Sequence, residues 1–200
     1  MEFFKQRPHT GVDQMKYVSI DIETSGLDPE EHQILEIGAV VDNLEDQKAV
    51  EELPQFHRYL RYDQIYLDPS LGKMHQNLLA DISTADNIQC QHPRHVASYL
   101  IEWLSNHFNQ RSYMPPKIRV AGKNFLSFDL KFLKKLPGFY LPLDYRILDP
   151  GILYLEKTDK RVPSLDQCIE RAGLKPTDHH RALGDAIDVV RLIRHKVNQQ

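Results

Sequence analysis

Apolar residues come in short, strand-like bursts over the first sixty positions and at helical spacing over much of the last hundred. The burst Tyr17-Val18-Ser19-Ile20 continues to about residue 22 and predicts a strand; Leu27-Asp28-Pro29 supplies a turn, and Ile34-Leu35-Glu36-Ile37-Gly38-Ala39-Val40-Val41 reads as its pairing partner. Gln55 to Leu60 predicts a third strand. The polar stretch from Asp63 to Asp86 offers short helices at best, after which Val96, Leu100, Ile101, Leu104 and Phe108 recur at helical spacing. Pro115-Pro116 breaks the chain, and Ile118 to Gly122 predicts a fourth strand leading into a helix that carries Phe125, Phe128, Phe132 and Leu133. Tyr145 to Leu148 reads as a fifth strand, followed by a helical patch to Leu155. Ser164 caps a helix through Ala172 that Gly173 ends, and a last helix runs from about His180 to Val197. Strands in hairpin order, then strands alternating with helices, give an α/β domain with a mixed five-stranded sheet flanked by helices.

Composition narrows this picture. Two hundred residues at 41% hydrophobic make one well-buried domain, placed at 16–200, with residues 1–15 as a loose polar arm. No stretch has the apolar length of a membrane span, the N-terminus lacks a signal peptide's apolar core, and two cysteines are too few for a disulfide framework, so a cytoplasmic setting is expected. A net charge of −3 does not announce a broadly basic nucleic-acid surface. Basic residues nevertheless gather in two runs, Lys131, Lys134 and Lys135, and Lys157, Lys160 and Arg161, each of which reads first as a solvated face, with phosphate contacts as the alternative.

Candidate chemistry lies in the acids. Asp21 and Glu23 are two residues apart at the end of the first strand, so both project from one face into one small volume, where Gly26 lets the backbone turn away. Such a pair is either a solvated strand end or a hard oxygen site for Mg²⁺ or Mn²⁺. Asp129 sits near the start of the helix after the fourth strand, beside the phenylalanine stripe. Asp185 sits in the first turn of the last helix, where Ala182, Gly184 and Ala186 allow close approach to the sheet. His180, at or just before that helix, leans toward the same place from the loop side.

Together these segments resemble the DEDDh family of 3′→5′ exonucleases, which share the ribonuclease H-like fold. Asp21-Ile22-Glu23-Thr24 with Gly26-Leu27 is similar to the family's first motif, Asn124 through Asp129 to Leu133 to its second, and His180-x-Ala182-x-x-Asp185 to its third. Arg181 stands where the related tyrosine-bearing branch would place its tyrosine, which favours the histidine branch. The resemblance implies metal-dependent release of nucleoside 5′-monophosphates from single-stranded DNA or RNA 3′ ends. Asp21, Glu23, Asp129 and Asp185 would hold two divalent cations, Mg²⁺ or Mn²⁺, and His180 would act as general base. It further implies that Thr24, Gly26 and Leu27 border the terminal nucleotide, against a buried core role for Leu27, and it leaves a homodimer open. Asn124 is either a substrate contact or a turn residue. Between about Leu44 and Lys117 the resemblance is weak, although Met74-His75-Gln76-Asn77-Leu78 falls where many members carry a histidine.

Three other readings remain. A non-catalytic module on the same fold would bind nucleic-acid ends or a protein partner, and an endonuclease would cut internally. Cys90, His92 and His95 offer three ligands for zinc without a recognisable partner pair, the alternative being a histidine-rich loop.

Overall fold

In the computed structural model the described residues are 15–71, 75–108, 117–178 and 180–199. The sequence expectations for residues 1–14, Met74, Pro115-Pro116 and His179 fall outside them. The strands are β1 (Lys16–Thr24), β2 (Ile34–Asn43), β3 (Gln55–Leu60), β4 (Cys90–Gln91) and β5 (Val120–Ala121). The helices are α1 (Gln76–Thr84), α2 (Pro93–Phe108), α3 (Asp129–Leu133), α4 (Pro150–Leu153), α5 (Leu165–Arg171) and α6 (Ala182–Val197). They surround one sheet in the order β4-β3-β2-β1-β5. β1, β2 and β3 are antiparallel, whereas β5 joins β1 and β4 joins β3 in parallel.

β2 is buried along nearly its whole length because both faces of the sheet are covered. One face packs Ile20, Ile22, Ile37, Ala39 and Phe56 against Val96, Leu100 and Leu104 of α2 and against Phe125 and Phe132. The other packs Tyr17 and Val40 against Ile187, Val190 and Ile193 of α6. Alternation along the strands assigns Asp21 and Glu23 to the α6 face, opposite Gly38 and Glu36 of β2. Burying about 100 Å² of apolar side chain contributes ~2.5 kcal/mol, so each of these helices is fixed by several such residues.

Two expectations are corrected. Tyr145–Leu148 is not a strand: β5 spans two residues and offers little edge, so only Leu148 bridges to Ala121. The fifth strand is instead Cys90–Gln91, bonded to the far edge of β3. Residues 123–128 are not helical either. Asn124 takes the left-handed conformation (φ 59°) and donates its N–H to Asp149 at 3.1 Å, and the chain makes turns until α3 begins at Asp129. The Ser164 cap is present in full, as a reciprocal pair with Gln167, and Gly173 follows α5 at φ 66°.

Candidate active site

The sheet brings the acids together where β1 ends. Carboxylate oxygens of Asp21, Glu23 and Asp185 all lie within 4.8 Å of one another, and among the described residues this is the one group of histidines, cysteines and acids close enough to hold a metal ion. Asp21 and Glu23 arrive by strand alternation. Asp185 arrives because Gly38, paired with Asp21 across the strands, has no side chain: a Cβ there would strike the backbone of Ala182 and Leu183. The first turn of α6 therefore rests directly on β2. Gly184 serves a different purpose from the one its sequence suggested, since a Cβ on it would meet the Asp178 backbone, and it accommodates the incoming loop rather than the sheet.

Asp129 is buried and stands beside this trio rather than in it. β5 stops at Ala121, so past that point β1 has no partner on that side; the Ile22 N–H donates to Asp129 Oδ1 at 3.2 Å. That bond fixes the carboxylate on a cleft of about 370 Å³ lined by Asp21, Glu23, Asp129, Asp185, Lys123, Asn124, Ser127 and Phe128.

Burial, joined at Asp21, Glu23 and Asp185 by repulsion from neighbouring acids, raises all four above the usual carboxylate range. Burial raises Asp21 most, with Asp129, Asp185 and Glu23 adding repulsion. Burial and then Asp185 and Glu36 push Glu23 to about 8. Burial carries Asp129 to about 7, against the lowering effect of its backbone hydrogen bonds, and burial with nearby Asp188 and Asp166 carries Asp185 to about 7. An all-oxygen set of clustered acids is suited to hard divalent cations, which relieve this repulsion. The Cys90, His92 and His95 alternative lacks such geometry: Cys90 is buried in the sheet beside Leu78 and Ile82, and His92 Nδ1 accepts from Arg94.

The remaining candidates are placed unevenly. His180 is exposed on the loop entering α6, at φ 56°, and does not line the cleft. Its backbone is held from both sides. Asp178 packs on Gly184, and the Arg181 guanidinium reaches Glu36 (3.3 Å), Asp81 of α1 (2.7 Å) and the Tyr59 hydroxyl. Glu36 is fully buried, accepting also from His57 at 2.6 Å and from the Ala182 N–H. Thr24 is buried, with its hydroxyl donating to the Gly26 carbonyl at 2.7 Å. Gly26 lies against the His32 ring, where a Cβ would overlap it. Leu27 is 70% exposed, which excludes a core role. Asn124 lines the cleft and also makes the turn.

Sequence reasoning gave no role to the Glu36–Arg181 clamp or to Lys123. It left His75, which is buried with an unpartnered Nδ1 and a ring bonded to the Thr24 backbone, without a role. The signal for Glu36 was a charged residue inside an otherwise continuous apolar run.

Fold and site together set a mixed five-stranded sheet beside a cleft lined by four acids. The sequence model of the exonuclease family (RNase_T) matches residues 18–193, and the chain belongs to that family. Two similar proteins are the PolC-type DNA polymerases III of Thermotoga petrophila and Thermotoga maritima, 30% and 29% identical over 172 residues, 85% of this chain. The chain spans 11% of the length of each. Among solved structures, the zinc-bound E. coli ExoI–ssDNA complex superimposes with a TM-score of 0.66 at 14% identity, over 94% of this chain and 41% of that one, which shows the shared fold.

Proposed function

We infer that this chain shortens single-stranded DNA or RNA one nucleotide at a time from the 3′ end. Three carboxylates whose oxygens lie within 4.8 Å, beside a fourth fixed on the Ile22 N–H, carry this reading. Asp21, raised by its neighbours Asp129, Asp185 and Glu23, would hold divalent cations together with these three acids. When bound, Mg²⁺ or Mn²⁺ would supply positive charge on both sides of the phosphorus and lower the pKa of the attacking water.

The chain's own groups do the rest. Leu27 presents an apolar edge for the terminal base, and the backbone around Thr24 and Gly26 borders the sugar. His180, with its side chain turned from the solvent-exposed position it holds here into the cleft, would take the proton from the attacking water as the new P–O bond forms and the bond to the 3′ oxygen breaks; that oxygen, protonated from solvent, becomes the new 3′ end. The products are a nucleoside 5′-monophosphate and a strand shorter by one. The Arg181 clamp keeps the loop that carries His180 next to Asp185.

A 5′-labelled single strand incubated with Mg²⁺ or Mn²⁺ gives a descending ladder and mononucleotides, and EDTA abolishes both. Cutting of a circular strand, or binding without release, refutes the reading. The likeness to the ExoI–ssDNA complex supports a single-stranded substrate, and DNA and RNA arms in the same assay report whether a 2′-hydroxyl is accepted.

A further inference from the structure

The exonuclease reading explains the acids but not the second basic run. Lys157, Lys160 and Arg161 are exposed, and among the described residues none has an ion-pair partner. The carboxylates beside them are engaged elsewhere. Asp159 receives both Arg171 nitrogens at 2.7 Å, and Glu156 lies 3.7 Å from the same guanidinium. The turn is also closed on itself, the Asp159 N–H donating to the Glu156 carbonyl at 3.0 Å and the Glu156 N–H to Asp159 Oδ2 at 2.8 Å. Arg171 further binds the Tyr154 carbonyl, so the three cations stand on a braced turn.

That turn adjoins the cleft. Val162 Cγ1 and Lys123 Cε both lie against Gly151, 2.5 and 3.2 Å from where its Cβ would be, and Lys123 is part of the cleft wall. On the other flank, Asp166 in the first turn of α5 is near enough to Asp185 to repel it. Exposed apolar side chains accompany the cations: Ile152 (61%), Leu155 (51%) and Val162 (41%). Sheet order sets the direction. Leu27 lies on the turn from β1 toward β2, the acids lie at the end of β1, and Lys123 follows β5 on the opposite side. A strand whose 3′ nucleotide rests at Leu27 and whose scissile phosphate lies at the acids leaves toward β5 and α4.

We propose that the segment from Ile152 to Val162 is a binding surface for single-stranded nucleic acid 5′ of the cleaved bond, its three cations taking backbone phosphates and its exposed apolar side chains facing bases. The proposal rests on the exonuclease reading for its direction. It accounts for strand capture by a chain of net charge −3 whose cleft is acidic: the cations are concentrated where the phosphates pass.

The test compares wild type with Lys157→Gln/Lys160→Gln/Arg161→Gln on a dinucleotide and on a ten-nucleotide single strand. In parallel, anisotropy of the labelled ten-mer in EDTA reads binding without turnover. The variant is expected to raise the ten-mer KM and Kd at least fivefold, to flatten the dependence of log Kd on log salt by about 2, from ~0.7 per lost phosphate contact, and to leave dinucleotide turnover within twofold. Lys48→Gln/Arg94→Gln, which removes charge elsewhere, is expected to change none of these. Unchanged ten-mer binding, equal loss on both substrates, or an equal effect of the distant pair overturns the proposal. Binding that is lost in the variant while wild type releases no mononucleotide upholds the surface and refutes the exonuclease reading.

Discussion

Replacing Asp185 by Asn tests the central physical claim, that metal-free repulsion is built into the site. A carboxyl moved from 3.8 to about 7 costs roughly 4 kcal/mol to ionise in the fold. Burial is the largest cause of that shift, ahead of repulsion from Asp188 and Asp166; the Asp185 charge in turn raises Asp21 and Glu23, and two charges ~4.8 Å apart at an effective dielectric near 20 repel by ~3.5 kcal/mol. The sign follows from linkage. The folded pKa is raised, so the folded state holds the proton more tightly than the unfolded chain, and stability falls as pH climbs from about 4 to about 7. Without metal at pH 8, D185N is therefore expected to be more stable than wild type by about 2–4 kcal/mol, since titration of the trio is shared and single-site costs do not add. For a chain of this size that is roughly 5–15 °C in Tm. Denaturation in EDTA at pH 5 and pH 8 reads it, and the gap narrows at pH 5. Mg²⁺ then closes the gap, adding ~2.7 kcal/mol to wild type at a hundredfold its Kd and ~4.1 kcal/mol at a thousandfold, and little to the variant. A variant less stable than wild type in EDTA at pH 8, or equally stabilised by Mg²⁺, refutes the reasoning.

Other expectations follow from single contacts. His180→Ala is expected to lower kcat by ~10²–10⁴; a rate near wild type excludes it as the base. Gly38→Ala drives a methyl into the Ala182–Leu183 backbone, costing about 1–3 kcal/mol by urea unfolding and lifting Asp185 from Asp21, so Mg²⁺ affinity falls; unaltered affinity argues against close approach at Gly38. Arg181→Ala removes one partner of the buried Glu36, which keeps His57 and the Ala182 N–H, and is expected to cost about 1.5–3 kcal/mol, partly recovered by adding Glu36→Gln, whereas additivity of the two changes would show that they do not interact. Leu27→Ala is expected to raise KM several-fold with little change in kcat, and an unchanged KM removes Leu27 from the terminal-base contact.

The placement of the acids was legible because it depends on local rules. Strand alternation puts Asp21 and Glu23 on one face, and the apolar periodicity around Asp185 fixes its helix, whatever the rest of the chain does. The same rules located β1, β2, β3, α2 and the Ser164 cap. They failed at Cys90–Gln91 and at Tyr145–Leu148. Two-residue strands carry no periodicity, and whether such a segment pairs depends on which sheet edge lies beside it.

Tertiary structure alone decided how the acids meet. Only packing shows that Gly38 seats α6, that the early end of β5 leaves the Ile22 N–H to hold Asp129, and that Glu36, Arg181, Asp81 and Tyr59, far apart in sequence, clamp the loop bearing His180. It also set Leu27 in solvent and placed the Lys157–Arg161 turn beside Lys123. The sequence by itself determined which residue types are present and which face of its own element each occupies, because backbone geometry repeats every two or 3.6 residues. The distances between elements depend on side-chain volume and unsatisfied backbone groups at their contacts, which no single segment encodes.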